Sequence, residues 1–354
     1  MLKWVQSGLS AVAGTTEPEY GREAIHPVTD FIKQNAQPVS RATTLEDFSW
    51  KHPNYTNVET QTFYFTDLKS GYVGFAQVIH SNLMGFKTTA QFTFRLYNNK
   101  TGSSDANCVW TSTALENFRI DGANFYADNL SIVNSGENSD TYTLKSSVNV
   151  DSEVDLVVTR LVPGVIFGND GTTLYGEDIK EPWGSMRHAF WPRCSAKGTI
   201  KLKNATVTID GYTMFVMALQ GMKPHHAANL TPPRKVNVAI VTSKDSIIAT
   251  SIDNEIVHEN AAVDEVGWTV PKSITFNFTE GTSEKPVATV HGDLKQLVER
   301  VDVMAEIPQF VKNIVSGVSG AKPYIYQFCN TLSIKCGDKS EDGIAFNEAT
   351  FISE

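Results

Sequence analysis

From about Phe48 onward, apolar and polar residues alternate with a period of two. In AQFTFRLYN, Ala90, Phe92, Phe94 and Leu96 fall on one side, and Gln91, Thr93, Arg95 and Tyr97 on the other. That spacing predicts a strand with two unlike faces. The same signature returns in ETQTFYFTDL (59–68), TIKLKNATVTI (199–209), KVNVAIVT (235–242) and SITFNFTE (273–280). Turn residues punctuate these runs at NNKTG (98–102), Asp121-Gly122, NDG (169–171) and Asp210-Gly211. Many short strands, few long helices and regular turns predict a mainly β chain built as sandwiches or barrels.

Two stretches break the alternation. Wound at about 100° per residue, MLKWVQSGLSAVAG puts Leu2, Val5, Leu9, Val12 and Ala13 on one side, flanked by Trp4, Gly8 and Ala11. Lys3, Gln6, Ser7 and Ser10 share the other side. A secretory signal needs an unbroken apolar run, and Gln6, Ser7 and Ser10 interrupt this one. The segment is also too short for the roughly 20 apolar residues that cross a bilayer. It therefore predicts an amphipathic helix over 1–14 that the protein keeps and lays on a membrane surface, with Trp4 at the headgroup boundary. The competing use of such a face is docking on the protein's own body. Near the C-terminus, DLKQLVERVDVMAEI (293–307) fits either a strand or a helix. PQFVKNIVSGVSG, with Pro308 in its first turn and Gly317 near its end, predicts a helix covering one end of a β domain. Residues 15–47, polar and proline-dotted, predict a linker with one short helical turn.

Composition narrows the partners. The 354 residues are enough for two ordinary domains, here 48–224 and 225–354. A formal charge of −9, with no basic run to offset it, argues against nucleic acid. The four cysteines form no CxxC pair and have no regular spacing with the eight histidines, so neither a zinc site nor a cofactor is expected. Without a secretory signal, the Asn-x-Ser/Thr sequons read as chance and the protein as cytosolic, with reduced thiols.

The densest mixture of aromatic and polar residues is EPWGSMRHAFWPRCSAKGTI (181–200), followed by DGYTMFVMALQGMKPHHAAN (210–229). Arg187, His188 and Arg193 could hold an anionic group, and His225 or His226 could move a proton near neutral pH. Packing is the competing account, with a guanidinium stacked on an indole to seal a barrel end. No carboxylate, serine or cysteine beside them names a reaction.

At MLKWVQSGLSAVAG with EPEYG just after it, at WGSMRHAFWPRC and at ALQGMKPHHAA, the sequence resembles the fungal survival factor family of ceramide-binding, oxidative-stress survival proteins. The resemblance runs through the whole chain. It implies two lipocalin-like β-barrels in tandem, preceded by the N-terminal amphipathic helix. It also implies a monomeric carrier that moves ceramide, or a similar two-chain lipid, between endoplasmic reticulum and Golgi without vesicles. Such a carrier would support sphingolipid synthesis and survival of oxidative stress. It would be cytoplasmic, peripheral on those membranes and able to enter the nucleus, and its start Met1-Leu2 would suit N-terminal acetylation. Membrane contact carries over onto Leu2, Trp4, Val5, Leu9 and Val12, and Arg187, His188 and Trp191 are the candidate ligand-binding residues at the rim or polar end of a barrel. Two other readings stay open. Tandem lipocalin-like proteins include carotenoid hydratases and fungal pericyclases, for which His225, His226 or Asp264 would be the acid; a stress-related interaction protein with a filled core is the other.

Burying Leu2, Trp4, Val5 and Leu9 gains roughly 1.5 to 3 kcal/mol each before ordering the helix takes its share, so membrane contact is reversible. With Lys3 as its one cation, the helix suits weakly charged membranes with packing defects. Leu9→Asp is expected to abolish co-flotation with liposomes. Unchanged flotation would overturn the membrane assignment.

Overall fold

Strands form where alternation places them at 59–66, 90–98, 237–242 and 273–279, but the run TIKLKNATVTI (199–209) is no single strand: a turn at 202–205, closed by Leu202 N–H donating to the Ala205 carbonyl at 2.7 Å, separates two strands there. The computed structural model describes residues 24–83, 85, 87–102, 105–222, 237–242, 262–263, 269–279, 285–302 and 324–351. The predicted helix over 1–14 and the one beginning at Pro308 lie outside the described residues.

The N-terminal half begins with β1 (Ile25–His26), helix α1 (Val28–Lys33), β2 (Ser40–Ala42) and a 3-10 turn (Leu45–Phe48). Four longer strands follow: β3 (Asn57–Thr66), β4 (Tyr72–Leu83), β5 (Lys87–Asn98) and β6 (Val109–Ala114). Next come β7 (Arg119–Asp121), β8 (Asn124–Ala127), β9 (Leu130–Ser135), β10 (Thr141–Ser146) and β11 (Glu153–Arg160). β12 (Val165–Phe167) and β13 (Thr172–Tyr175) lead into the two longest, β14 (Gly184–Lys201) and β15 (Thr206–Met222). All join one 15-stranded antiparallel sheet whose main path runs β6-β5-β4-β3-β15-β14-β11-β10-β9-β8-β7. It curls around a single apolar core.

The C-terminal half contains β16 (Asn237–Thr242), a small β17 (Ala262–Val263) and β18 (Thr269–Val270) ribbon, and β19 (Ser273–Thr279). β20 (Pro286–Asp293), β21 (Leu297–Asp302), β22 (Tyr324–Cys336) and β23 (Lys339–Phe351) complete it. Its main sheet has six strands, ordered β16-β23-β22-β20-β19 with β21 on β22. The ambiguous stretch after Asp293 thus resolves to a strand over 297–302.

Two of the expected loops depart from the sequence expectations. The described part of the expected linker, residues 24–47, is woven into the sheet: β1 pairs with β13 and β2 pairs with β12, and Phe48 just after it enters the core. Asp210-Gly211 is no turn but lies within β15, where the lack of a side chain on Gly211 lets the strand pack against the Thr66 carbonyl. Asp121-Gly122 does turn, with Gly122 at φ 57° between β7 and β8.

Strand β14 carries a bulge between Trp191 and Cys194. Pro192 has no N–H to give the ladder, and the extra residue shifts the phase. Ala189 and Trp191 point into the core before it, as do Cys194, Ala196 and Ile200 after it. The bulge therefore keeps one face apolar through a sequence whose alternation slips.

Alternation in β5 predicts one wet face, yet Phe92 to Asn98 are buried without a break. The inward residues face the barrel core. The opposite face is covered: Tyr97, with Tyr64, Val73 and Phe75, shares a second apolar cluster with Cys329 and Phe346 of the C-terminal sheet.

At the barrel's middle, Phe215 lies against Phe48, Phe63, Tyr142 and Trp191, at ring-centroid distances of 5.1, 4.4, 4.9 and 5.4 Å. Phe215→Ala leaves a cavity among rings that cannot all collapse, and is expected to cost about 3–5 kcal/mol in denaturant unfolding.

Candidate functional site

The residues singled out around β14 do not assemble into one site. Alternation sends Arg187 and Trp191 to one face of the strand and His188 to the other, where its ring stacks on Phe190 at 5.9 Å. Trp191 is 2% exposed and belongs to the aromatic stack, not to a rim. The cation over its indole is Arg160, at 5.6 Å, while Arg193 covers Tyr212 at 5.0 Å. Guanidinium–aromatic stacking is therefore present, with different partners from those adjacent in sequence.

Arg187 serves a latch. Its Nη1 donates to the Asp47 carbonyl at 2.9 Å and its Nη2 lies 3.3 Å from Asp47 Oδ1. Arg41 grips the same carboxylate with two bonds of 2.7 and 2.8 Å, and the Thr44 amide donates at 2.8 Å within a capping box. These bonds, the Arg41 pair foremost, lower the Asp47 pKa to about 2. The carboxylate is fully engaged, so the triad ties residues 41–47 to the barrel and offers no free acid or base.

The polar end of the barrel lies elsewhere. On β3, Glu59 and Gln61 continue the inward face of Phe63 and Phe65; on β4, His80 continues that of Ala76 and Val78. Glu59, with 0% of its surface exposed, accepts from the Lys51 and His52 amides at 2.7 and 2.6 Å. Burial raises its pKa against the pull of those bonds. Burial also lowers the His80 pKa to about 4, leaving a neutral imidazole at physiological pH. Gln61 Nε2 donates to the Ala123 carbonyl at 2.8 Å. Above them Trp50 meets His80 at 5.9 Å and Phe125 at 5.2 Å, and Phe118 meets His80 at 5.7 Å.

Three polar atoms of this group have no partner among the described residues: Trp50 Nε1, Gln61 Oε1 and His80 Nδ1. Sequence reasoning passed over all three residues. A signal was present, since counting by twos from Phe63 and from Val78 places Gln61 and His80 on the core face.

The two halves meet through a second polar set. Tyr64 donates its hydroxyl to Glu348 at 2.6 Å, and Gln327 Nε2 donates to the other oxygen at 2.9 Å. Arg95 reaches across to Glu299 and to the Val298 carbonyl, both at 3.1 Å. Burial pushes the Glu348 carboxyl above its ordinary range.

Other expected residues are absent from this geometry. Leu2, Trp4, Val5, Leu9 and Val12, and the proton-transfer suspects His225, His226 and Asp264, lie outside the described residues. Among the described residues, no cluster of three or more His, Cys, Asp or Glu could hold a metal ion. The four cysteines are unpaired. Burial raises the Cys194 thiol out of reach of physiological pH and the Cys329 thiol to about 12, so both are inert small hydrophobes.

Two curled antiparallel sheets in tandem, each with an apolar inner face, define a lipocalin-like β protein. Of solved structures, an AttH protein of Nitrosomonas europaea shares this fold, with a TM-score of 0.51 at 12% identity over 87% of this chain and 96% of its own. The chain belongs to the Svf1 family, whose sequence profile matches residues 2–230 and 232–353. It is 62% identical to a relative from Debaryomyces hansenii and 56% identical to one from Candida albicans, in each case over 100% of both chains. Both are named ceramide-binding protein SVF1.

The latch makes a pH prediction. A pKa lowered from 3.8 to about 2 corresponds to about 2 kcal/mol of stability. Because the folded-state value is the depressed one, that stability is present above pH 3.8 and is lost as pH falls toward 2. Asp47→Asn is expected to lower stability at pH 7 by about 2 kcal/mol and to flatten the acid limb between those pH values, read as denaturant midpoint against pH.

Proposed function

We propose that the protein binds ceramide and carries it between endoplasmic reticulum and Golgi membranes without vesicles, supplying sphingolipid synthesis and aiding survival of oxidative stress. It works in the cytoplasm as a monomer and touches both membranes through the apolar face of Leu2, Trp4, Val5, Leu9 and Val12. The reading rests on the ceramide-binding relatives at 62% and 56% identity along the whole chain.

One structural observation carries it further: inside a strongly apolar, aromatic enclosure, the polar atoms left without partners at the barrel end are all neutral. Ceramide is that kind of cargo, two hydrocarbon chains on an uncharged amide and hydroxyls. At about 0.8 kcal/mol per CH₂, its chains hold it in a bilayer, so a carrier must match that apolar environment. It must also satisfy the head, because a buried polar group without a partner costs a few kcal/mol.

The test is lipid extraction and mass spectrometry of the purified full-length protein, followed by ceramide transfer between liposomes with and without residues 1–14. Ceramide should copurify, and removing the helix should slow transfer by roughly an order of magnitude while binding persists. A protein that copurifies with no lipid, or with a polyene, would overturn the assignment.

A further inference from the structure

The polar end of the N-terminal barrel has the makings of a built site. Trp50, Gln61 and His80 are 5%, 0% and 3% exposed, and each keeps one polar atom without a partner among the described residues. They are neighbours. Glu59 pairs directly with His80 across β3 and β4, and Gln61 stands two residues further along the same face. Gln61 bonds the Ala123 carbonyl, while the Trp50 amide bonds the carbonyl of the adjacent Gly122 at 3.1 Å. The Trp50 and His80 rings are 5.9 Å apart. An indole N–H can only donate, an amide oxygen can only accept, and a neutral imidazole nitrogen does either according to its tautomer.

We propose that this end of the barrel seats the uncharged head of the cargo, with Trp50 Nε1 donating to its amide carbonyl and Gln61 Oε1 accepting from its amide N–H or a hydroxyl. His80 Nδ1 takes the remaining hydroxyl. The placement rests on the ceramide reading above and adds to it both a location and a basis for selectivity. The aromatic stack around Phe215 fills the barrel's middle, so the chains leave past Phe118 and Ile120, half-buried apolar side chains packed against the core.

Charge sets the selectivity. Glu59 is enclosed next to His80, and its two oxygens are taken up by the Lys51 and His52 amides. A phosphorylated head would bring its negative charge against that buried carboxylate and a neutral imidazole. Such a pair is strongly unfavourable where the local dielectric is low. The site therefore accepts ceramide and rejects ceramide 1-phosphate.

The design also explains why unpartnered polar groups persist. In the empty protein Gln61 Oε1 and His80 Nδ1 oppose folding, and apolar replacements of similar shape remove that opposition. Gln61→Met also gives up the Nε2 bond to the Ala123 carbonyl, which offsets that gain, so Gln61→Met with His80→Phe is expected to keep a cooperative transition with a thermal midpoint near that of the wild type while weakening ceramide binding about tenfold or more.

The experiment compares wild-type and double-variant full-length protein for binding of a short-chain ceramide and of ceramide 1-phosphate. The Trp50 indole N–H resonance is followed in the wild type as a direct report from the site. Support is a shifted Trp50 signal, weakened ceramide binding by a variant that still unfolds cooperatively, and no binding of the phosphorylated lipid. Ceramide binding that leaves the Trp50 signal unmoved, or that the variant fully retains, overturns the placement while the ceramide reading stands. Equal binding of the phosphorylated lipid overturns the selectivity. A wild-type protein that binds no ceramide removes the functional reading itself. Should the variant fail to fold, the Trp50 signal decides alone.

Discussion

The register of β14 on β15 is the constraint on which the rest depends. These are the two longest strands of the N-terminal sheet, and their pairing sets Trp191 opposite Phe215. β15 also pairs with β3, in a register that sets Phe63 opposite Phe215. Three large rings thereby meet at one level, Tyr142 and Phe48 close around them, and the centre of the barrel is solid. A one-residue slip in either pairing would turn this whole face outward. Because the middle is filled, polar chemistry inside the barrel can collect only toward its ends.

The segment before β3 follows from the same packing. Phe48 is needed at the centre, so the chain leading to it must lie against the barrel, and Asp47 beside it must be buried. A buried carboxylate requires several donors, and Arg41, Arg187 and the Thr44 amide supply them. Composition alone made 15–47 look like a linker, because proline and polar residues mark loops without saying whether a loop's own side chains are held. The strands were legible for the opposite reason. Alternation is a local property, and it located β3, β5, β16 and β19 from residues next to one another in sequence; it ran on through the turn at 202–205 that divides β14 from β15. It failed at Arg95 and Tyr97, where burial is imposed by a second sheet some 200 residues further along the chain. At β14 the difficulty lay in the phase, which Pro192 shifts; but 187 to 191 lie before that shift, and their alternation already divides Arg187 and Trp191 from His188. The polar end was the converse case, legible in principle from parity, since Gln61 and His80 sit at core positions of otherwise apolar faces.

Different polar groups solve the burial problem in different ways, and the contrast separates framework from site. Asp47 is saturated by two guanidinium groups and an amide, and Glu59 by two amides. Each behaves as a fixed strut. Glu348 is shared between Tyr64 and Gln327 and faces Tyr64 across the boundary between the two sheets. A buried ionisable group of that kind adds little net stability, because desolvation cancels much of the attraction. It does penalise wrong arrangements, since any other alignment of the halves strands the carboxylate. Arg95, 6% exposed and paired with Glu299, acts the same way from β5, two strands away from Tyr64 in the sheet.

Alignment of the halves matters because the outer face of the first sheet is itself apolar. Tyr64, Val73, Phe75 and Tyr97 would make an exposed patch if the C-terminal sheet moved away, and Cys329 and Phe346 cover them. The two polar contacts therefore specify a registry in which apolar surface supplies the attraction. Such an arrangement leaves the barrel interior structurally independent of the interface, because successive residues of β3 and β5 serve the two sides in turn. Phe63 packs inward while Tyr64 reaches outward to Glu348; Phe94 packs inward while Arg95 reaches outward to Glu299. Strand geometry thus lets one short stretch of sequence define both the enclosure and its cover, and a change on one face can act on the other only by shifting the strand between them.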